Sequence, residues 1–384
     1  MRLLFLSNFY NHHQAPICGA WNELTNGSFR FVPTEIFSAE RRAMGWDAGL
    51  NAPFVIPYGD ASDDEIELLA EEADSVIFGS APMALVVSRL KKGGVVFKYS
   101  ERLYKQGYDY RKWFPRLFTF WRNYGRHRSL YLLAASAYTA ADFAKHGTFI
   151  GKAYQWGYFP ECKYYDIDEL LAQKQTRRIL WCGRFLSCKH PDAAIEVAER
   201  LKAAGYDFGL HMIGGGEMDA TLRRTVQEKD LSDCVHLLGT MAPEQVREQM
   251  EQAGIFLFTS DFNEGWGAVL NEAMNSGCAV VASHAIGSVP FLMENKQNGL
   301  VYLNGNTEDI FQKLIYLLEY PDEQTRLGRN AYSTIVEKWN AQTAAERFLR
   351  LDKEIRDHGY CDLFEDGPCS RARILKNNWF SEYQ

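Results

Sequence analysis

Short apolar runs alternate with longer amphipathic stretches along the chain, and this alternation is clearest in the C-terminal half. Apolar runs that end at glycine or polar residues, with helical periodicity between them, predict parallel strands joined by helices. Pro191 and Pro243 stand where a first helical turn is expected and suit that position. The pattern predicts a doubly wound α/β domain whose ligands bind outside the carboxyl ends of its strands. The predicted strands of this half are 178–182, 208–213, 235–238, 255–259, 279–283 and 299–302.

The N-terminal half carries a weaker form of the same pattern, with candidate strands at 2–7, 75–78 and 95–99 and a helix at 138–146. We therefore predict two Rossmann-like domains, the first over residues 1–157 and the second over residues 158–357. The tail is too long for the second domain alone. Its final helices, about 358–384, are expected to pack back on the first domain.

Composition and charge narrow the choice of partners. The 384 residues are 46% hydrophobic, which is enough for two domains with sizeable cores. The net charge of -7 argues against a nucleic-acid binder, and it is unevenly spread, at +3 over residues 1–157 and -10 over the remainder. No apolar run approaches the roughly 18 residues that span a bilayer, and the eight scattered cysteines are typical of free thiols. These features predict a cytoplasmic protein, soluble or peripheral at the inner face of the plasma membrane.

Two glutamates mark a predicted strand, loop and helix over residues 259–277. Glu264 lies in the loop, and Glu272, eight positions later, lies in a helix that begins near Gly267. Eight helical residues rise about 12 Å, comparable to the distance between the two ends of a nucleotide sugar. The backbone N–H groups of Gly265–Gly267 are expected at the helix N-terminus, where a phosphate binds well. Two glutamates on a solvated helix face explain this segment equally well.

A second segment, Gly183-Arg184-Phe-Leu-Ser-Cys-Lys189, also follows a strand and precedes a helix. It brings an arginine and a lysine to the sheet edge on which Glu264 is predicted. A departing pyrophosphate carries at least two negative charges. The planar guanidinium of arginine binds its oxygens with two hydrogen bonds, and the ammonium of lysine binds them as a compact charge. A surface arginine and lysine without function would look the same.

Together these segments resemble the retaining glycosyltransferases of family four, the group 1 glycosyltransferases of the GT-B fold. The resemblance covers about residues 177–320 and rests on several motifs in one order. These are G-R-x4-K at 183–189, a glycine loop at 214–216, E-G-W-G-x4-E-A at 264–273, G-S-V-P at 287–290 and N-G-L-V-Y at 298–302. The resemblance implies two Rossmann-like domains that face each other across a cleft, with the acceptor on the first and the nucleotide-sugar donor on the second.

The resemblance also implies roles for individual residues. Arg184 and Lys189 would bind the donor diphosphate and Glu264 the hydroxyls of the transferred sugar, and these three form the predicted catalytic set. Glu272 would bind the ribose. It further implies retention of anomeric configuration, no metal and no cofactor besides the donor, with a UDP-sugar favoured over a GDP-sugar. The remaining predicted donor-binding residues are Gly183, Gly215, Gly265, Trp266 and Gly267.

The N-terminal half departs from the family at the loop after the first strand, where Asn8–Gln14 replaces a common Gly-Gly pair. His12 and His13 in this loop, and Glu101 at the end of strand 95–99, are candidates for binding an acceptor or a phosphate. Each has a plain alternative. The histidines are explained as structural or solvent-facing, and Glu101 as a carboxylate that favours a helix start.

A basic and aromatic stretch covers residues 102–128, with eight lysines and arginines, nine aromatic residues and Asp109 as its single acid. Basic side chains beside amphipathic aromatics suit an anionic membrane surface. The alternative, that the aromatics belong to the core and the bases form a solvated rim, explains the stretch equally well.

These observations predict an enzyme, a hexosyltransferase that moves a sugar from a UDP- or GDP-sugar to a glycan or lipid-linked glycan acceptor in surface polysaccharide synthesis. Two alternatives stay open: a nucleotide-sugar epimerase of the same fold, and a non-catalytic nucleotide-sugar-binding protein. The order of the motifs argues against the epimerase. The presence of both cations and both glutamates argues against the non-catalytic protein.

Overall fold

Each half of the chain is built on one six-stranded sheet in which neighbouring strands pair in parallel. The computed structural model describes residues 1–36, 52–109, 111 and 113–381. Two units are separated by their internal contacts. Unit 1 comprises Met1–Glu161 and Trp339–Lys376, and unit 2 comprises Cys162–Lys338 and the residues from Asn377 onward. The prediction of two α/β domains with parallel sheets is confirmed.

The sheet of unit 1 has the strand order β2-β1-β3-β4-β5-β6. Its strands are mostly apolar and buried, and all five residues of β1 are buried. Arg30 of β2 is exposed, and the last three residues of β4 are half-buried. The strands are β1 (Leu3–Ser7), β2 (Phe29–Pro33), β3 (Ser75–Phe78), β4 (Val96–Ser100), β5 (Leu130–Ala134) and β6 (Ala153–Gln155). The helices are α1 (Ala15–Leu24), α2 (Asp63–Glu72), α3 (Ala84–Lys91), α4 (Trp113–Phe120), which continues into a π-helical segment at Trp121–Gly125, and α5 (Thr139–Ala144).

Unit 2 has the strand order β12-β11-β10-β7-β8-β9, and all six strands predicted for this half are present within a few residues. Pro191 and Pro243 occupy the first turns of their helices, as predicted. The strands are β7 (Gln175–Cys182), β8 (Gly209–Ile213), β9 (Val235–Gly239), β10 (Ala253–Phe258), β11 (Ala279–Ser283) and β12 (Leu300–Tyr302). The helices are α6 (Ile167–Ala172), α7 (Pro191–Ala203), α8 (Asp219–Glu228), α9 (Pro243–Gln252), α10 (Val269–Asn275), α11 (Val289–Leu292), α12 (Thr307–Glu319) and α13 (Pro321–Ser333), which continues into a π-helical segment at Thr334–Lys338.

The chain returns to unit 1 at Trp339, earlier than the predicted position near residue 358. Helix α14 (Ala341–His358) causes the difference, because its buried Phe348 packs edge-on against Trp21 and Phe97 of unit 1. The first crossing falls after Glu161, four residues beyond the predicted boundary.

The last described residues, from Asn377 to Ser381, group with unit 2 instead of unit 1. His284 of unit 2 holds them there, because its Nε2 contacts the carbonyl oxygen of Asn377 at 3.1 Å and its ring stacks on Phe380. Side-chain contacts of this kind leave no periodic pattern in the sequence, which explains the different assignment of the tail.

The centre of the unit 2 sheet positions the candidate site. Strands β7 and β10 are neighbours, with β8 and β9 on one side and β11 and β12 on the other. The direction in which the chain adds strands therefore reverses between β7 and β10. The loops that follow these two strands leave the same edge at a topological switch point, where open α/β sheets bind their ligands.

Candidate functional site

The loops after β7 and β10 are tied to each other by hydrogen bonds. The backbone N–H of Asp261 donates to the carbonyl of Cys188 at 3.0 Å, and the hydroxyl of Thr259 donates to the carbonyl of Lys189 at 2.6 Å. The His190 ring lies 3.2 Å from the Asp261 carboxylate. The two predicted motifs therefore form one rim at the switch point, as the sequence analysis expected for a shared sheet edge.

Lys189 and Glu264 meet directly on this rim. The ammonium group contacts a carboxylate oxygen of Glu264, and the hydroxyl of Ser260 donates to the same oxygen at 3.0 Å. Both side chains are largely buried. The sequence assigned these two residues to different parts of a donor, and the structure shows them as an ion pair.

Arg184 stands on the same loop as Lys189, and its side chain is exposed. Within the described part of the chain no carboxylate pairs with its guanidinium. Arg184 therefore presents its charge to solvent beside the Lys189–Glu264 pair.

The glycine loop after β8 packs against the segment that begins at Gly183. A Cβ atom on Gly214 would lie 1.9 Å from the carbonyl oxygen of Gly183, and one on Gly216 would lie 2.7 Å from that of Phe185. Both glycines have φ near 150°, and the Phe185 N–H donates to the Gly215 carbonyl at 2.9 Å. Close backbone approach therefore explains these glycines, and donor contact by Gly215 stays a prediction.

The segment Gly265-Trp266-Gly267 bends at Gly265 and is irregular, and it does not form the first turn of a helix. Helix α10 begins at Val269, two residues later than predicted, and Gly267 adopts the left-handed φ of +84°. Trp266 is 1% exposed, and its indole N–H donates to the side-chain oxygen of Asn271 at 2.9 Å. The side chain of Trp266 is therefore a core element, and the amides of this segment precede the helix.

Glu272 lies half-buried on α10, and burial raises the pKa of its carboxyl group, with a smaller opposing effect from Arg247. Arg247 also donates to the Glu272 carbonyl at 3.2 Å. At the end of β7, burial raises the pKa of the Cys182 thiol to about 12, with the charge of Glu272 adding to the shift and that of Lys189 opposing it. Glu272 and Lys189 thus both lie near the end of β7. No sequence signal pointed to Arg247 or Ser260.

Known proteins resemble the part of the chain that carries this site. Residues 166–334 match the family described as Glycosyl transferases group 1. The match covers less than half of the 384 residues, and this region is similar to the group 1 glycosyltransferases. The amylovoran biosynthesis glycosyltransferase AmsK of Erwinia amylovora is 33% identical over 151 residues, which cover 38% of this chain and 37% of AmsK. The poly(ribitol-phosphate) alpha-N-acetylglucosaminyltransferase of Staphylococcus aureus is 29% identical over 180 residues, covering 46% of this chain and 36% of that enzyme.

The match spans little more than a third of the length of these two curated relatives. A solved structure extends the likeness in fold beyond residues 166–334. Anabaena Alr3699/HepE in complex with UDP superimposes with a TM-score of 0.66 and 15% identity, covering 91% of this chain and 99% of that chain. The predicted GT-B fold is confirmed.

Outside the matched residues 166–334, the candidates of unit 1 lie at the carboxyl edge of its own sheet. His12 and His13 follow β1, and Glu101 follows β4. Tyr158, which follows β6, joins two of them: its hydroxyl donates to Glu101 at 2.5 Å, and its ring stacks on His13 with 6.0 Å between centroids. The sequence analysis missed Tyr158, because it treated residues 157–160 only as a domain boundary.

The charges of this unit 1 cluster are fixed by its surroundings. Burial, with a smaller contribution from the neighbouring His12, lowers the pKa of His13 to about 3, so the His13 ring is neutral at physiological pH. Glu101 carries the negative charge, and the Lys105 ammonium donates to it at 2.7 Å. The cluster therefore combines one carboxylate, one phenol and neutral imidazole, which are groups that bind hydroxyls.

The basic and aromatic stretch 102–128 divides between core and surface; Tyr110 and Lys112 lie outside the described residues. Arg102 is buried beside Asp142, with 3.6 Å between Nε and the carboxylate, and Phe120 and Tyr124 pack against the unit 1 core. Phe114, Phe118 and Trp121 are 76%, 63% and 53% exposed. The interpretation as core and rim describes the buried part, and membrane contact of the exposed aromatics stays a prediction. Among the described helices, none has both the length and the apolar character needed to cross a membrane.

Proposed function

We propose that this chain is a retaining hexosyltransferase that uses a nucleotide-diphosphate sugar, a UDP-sugar in preference to a GDP-sugar. The observation that carries the proposal is the joined rim of unit 2, where Lys189 and Glu264 form an ion pair at the switch point. Arg184 lies on the loop that carries Lys189, and Glu272 lies on the helix that follows Glu264. The relatives' names, which refer to amylovoran biosynthesis and poly(ribitol-phosphate), support a surface glycan or lipid-linked glycan as acceptor. The UDP in the Anabaena structure supports the choice of donor.

Donor binding rearranges the ion pair on the rim. A diphosphate carries more negative charge than Glu264 and competes with it for the Lys189 ammonium, while the exposed Arg184 supplies a bidentate fork. Glu264 is then released from Lys189 but keeps its hydrogen bond from Ser260. Its carboxylate accepts hydrogen bonds from hydroxyl groups of the sugar. The Glu272 carboxylate accepts hydrogen bonds from hydroxyl groups of the ribose.

The chemical step follows from these positions. The bond between C1 of the sugar and the diphosphate oxygen breaks, and its electron pair leaves with the diphosphate. Arg184 and Lys189 stabilise the charge that develops there, so two side-chain cations take the role that a metal has in other transferases. The acceptor oxygen bonds to C1 on the same face, and its proton passes to the departing phosphate oxygen. Configuration at C1 is thereby retained.

A donor panel tests this function. We expect one nucleotide and its sugars, among UDP, GDP, ADP and their derivatives, to raise the melting temperature of the full chain by mass action. The matching sugar is expected to be transferred to a glycan acceptor with retention, without added metal. An epimerised donor formed in the absence of acceptor identifies the epimerase instead. Tight donor binding with neither hydrolysis nor transfer identifies the non-catalytic protein.

A second proposal concerns location: α4 and the π-helical segment after it hold the enzyme at the anionic inner face of the plasma membrane, as a peripheral cytoplasmic protein. The observation behind it is the exposure of Phe114, Phe118 and Trp121 on one short helical stretch that also exposes Arg111 and Arg122. Aromatic side chains enter the interface, and arginines attract anionic headgroups.

Vesicle sedimentation tests the location. Replacing Phe114, Phe118 and Trp121 by serine is expected to lower binding to phosphatidylglycerol vesicles at least about tenfold, because about 0.8 kcal/mol is lost for each CH2 withdrawn from the bilayer. The control replaces Tyr58, Tyr164 and Tyr320, which are similarly exposed elsewhere, by serine. Equal binding by the two variants contradicts the proposal.

A further inference from the structure

A cavity of about 800 Å³ opens in unit 1 at the sheet edge opposite to His13 and Glu101. Three of its lining residues, Asp74, Val95 and Ser129, directly precede β3, β4 and β5. The cavity therefore lies at the amino ends of these strands. Strands of four to five residues at about 3.3 Å per residue place it roughly 15 Å from the cluster at the carboxyl edge.

The lining of this cavity is strongly basic. Its acid is Asp74, whose carboxylate accepts the backbone N–H of Arg2 at 2.7 Å. Across the residues that the structure describes, no carboxylate pairs with Lys91, Arg126 or Arg128. The basic residues and the histidine of the lining are Arg89, Lys91, Arg126, His127, Arg128 and Arg356.

One of these charges is fixed in the cavity wall. The buried Arg89 guanidinium donates to the carbonyls of Ala70, Asp74 and Val95 at 2.8–2.9 Å, which holds it in one orientation. Gly94 leaves room for this arrangement, since a Cβ atom there would lie 2.7 Å from Arg89 Cγ. Arg356 pairs with Asp352 at 2.8 Å, so the cations that keep N–H groups for a ligand are the exposed Lys91, Arg126 and Arg128.

Crowded cations repel each other, and the repulsion is relieved when an anion binds among them. We propose that this cavity is a phosphate-binding site, which takes a phosphate group carried on an organic head group. Arginine and lysine side chains are the usual partners of phosphate oxygens, and the cavity is much larger than a single phosphate ion. The site is separate from the donor rim, so it does not depend on the proposed glycosyl transfer.

The cavity lies beside the segment proposed to contact the membrane, so a lipid headgroup is one possible source of the phosphate. Arg126 directly follows the π-helical segment that carries the exposed Trp121. That segment and α4 together span 13 residues, or about 20 Å at 1.5 Å per residue, and they end at the cavity. A membrane lipid and a soluble phosphate ester offer the same phosphate chemistry, and a binding experiment separates these two sources.

The test measures binding of glycerol 3-phosphate and of phosphatidylglycerol vesicles to the full chain at about 0.15 M ionic strength, where exposed charges act over roughly 8 Å. The cavity variant combines Lys91→Gln, Arg126→Gln and Arg128→Gln. The control variant removes the same charge from the surface of unit 1 with Arg2→Gln, Arg30→Gln and Lys92→Gln. We expect glycerol 3-phosphate to bind the cavity variant at least about tenfold more weakly than the wild type, and the control within about twofold.

The two ligands identify the source. A lipid source predicts that the cavity variant also loses vesicle binding and that glycerol 3-phosphate competes with vesicles. A soluble source predicts unchanged vesicle binding. Equal loss in the control variant, or no difference from the wild type with either ligand, overturns the proposal.

His127 gives a readout that needs no variant. Its ring accepts a hydrogen bond from Arg126 at 3.3 Å, and burial, with a further contribution from Arg126, lowers its pKa. An anion in the cavity favours the protonated ring. NMR titration is therefore expected to show a higher His127 pKa with glycerol 3-phosphate than without it, and an unchanged pKa contradicts the site even if the cavity variant fails to fold.

Discussion

The carboxyl edges of the two sheets carry comparable groups but are assembled by different means. In unit 2, hydrogen bonds to the backbone carbonyls of Cys188 and Lys189 join the loops after β7 and β10 and bring together Lys189 and Glu264, 75 residues apart. In unit 1, side-chain contacts alone join Tyr158 to His13 and Glu101.

This difference explains why the sequence predicted the grouping of residues at the carboxyl edge of unit 2 but not the grouping in unit 1. A rim fixed by backbone contacts demands glycines and polar residues at set spacings, as at Gly214 and Gly267, and those spacings form a motif. A cluster held by side-chain contacts requires only that the side chains lie within contact distance. Many different sequences allow this, so it leaves no recognisable motif.

The largest effect is expected from the cations of unit 2. Arg184→Ala together with Lys189→Ala should lower turnover by roughly 100- to 1,000-fold, because each positioned charge stabilises the departing diphosphate. Steady-state transfer measurements check this. Arg177→Ala with Lys229→Ala, which removes two exposed cations elsewhere in unit 2, should leave turnover within about twofold. Near-normal turnover in the first variant would remove the catalytic assignment of the rim.

A smaller effect, mainly on donor KM, is expected from Glu272→Gln. The amide keeps the shape but weakens acceptance of ribose hydroxyls, so donor KM should rise about tenfold with kcat little changed. Burial raises the pKa of Glu272, so its carboxylate is protonated at a higher pH than an ordinary glutamate. As the pH is lowered, the donor KM of the wild type should therefore begin to rise at a higher pH than it would with an ordinary glutamate at this position. KM of the variant should lack this rise. Glu248→Gln, on the exposed face of α9, is the control.

Glu272 also makes a prediction about stability. A carboxyl group whose pKa is higher in the folded state favours folding below its unfolded pKa, and that contribution is lost as the pH rises through the folded pKa. Glu272→Gln should therefore melt at a higher temperature than the wild type at neutral pH, and the difference should shrink in acid. A lower melting temperature at neutral pH would show that Glu272 has a stabilising partner in the folded protein.

The smallest effect is expected in unit 1. Tyr158→Phe removes the hydroxyl that donates to Glu101, and we expect acceptor KM to rise several-fold while donor hydrolysis is unchanged. Tyr131→Phe, which removes a hydroxyl bonded to the Gly359 carbonyl, is the matched control. Equal effects of both changes on acceptor KM would reduce the unit 1 cluster to a structural role and sharpen the contrast with unit 2.

The sequence by itself determined the features that depend on neighbouring residues. Apolar runs specified every strand of unit 2, and Pro191 and Pro243 marked helix starts, because strand burial and helix initiation act over a few residues. The ordered motifs placed Arg184 and Glu264 at one edge, since carboxyl ends of parallel strands share an edge.

The tertiary structure decided the pairings between distant segments. It alone showed that Lys189 pairs with Glu264, that α14 returns to unit 1, and that Lys91, Arg126 and Arg128 surround one cavity. Strands β2, β5 and β6 were not predicted, and in β5 the apolar run continues beyond the strand to Ala135, so no turn residue marks its end. These contacts join side chains tens of residues apart or more, and which side chains meet depends on the strand order and on packing, neither of which is written in local periodicity.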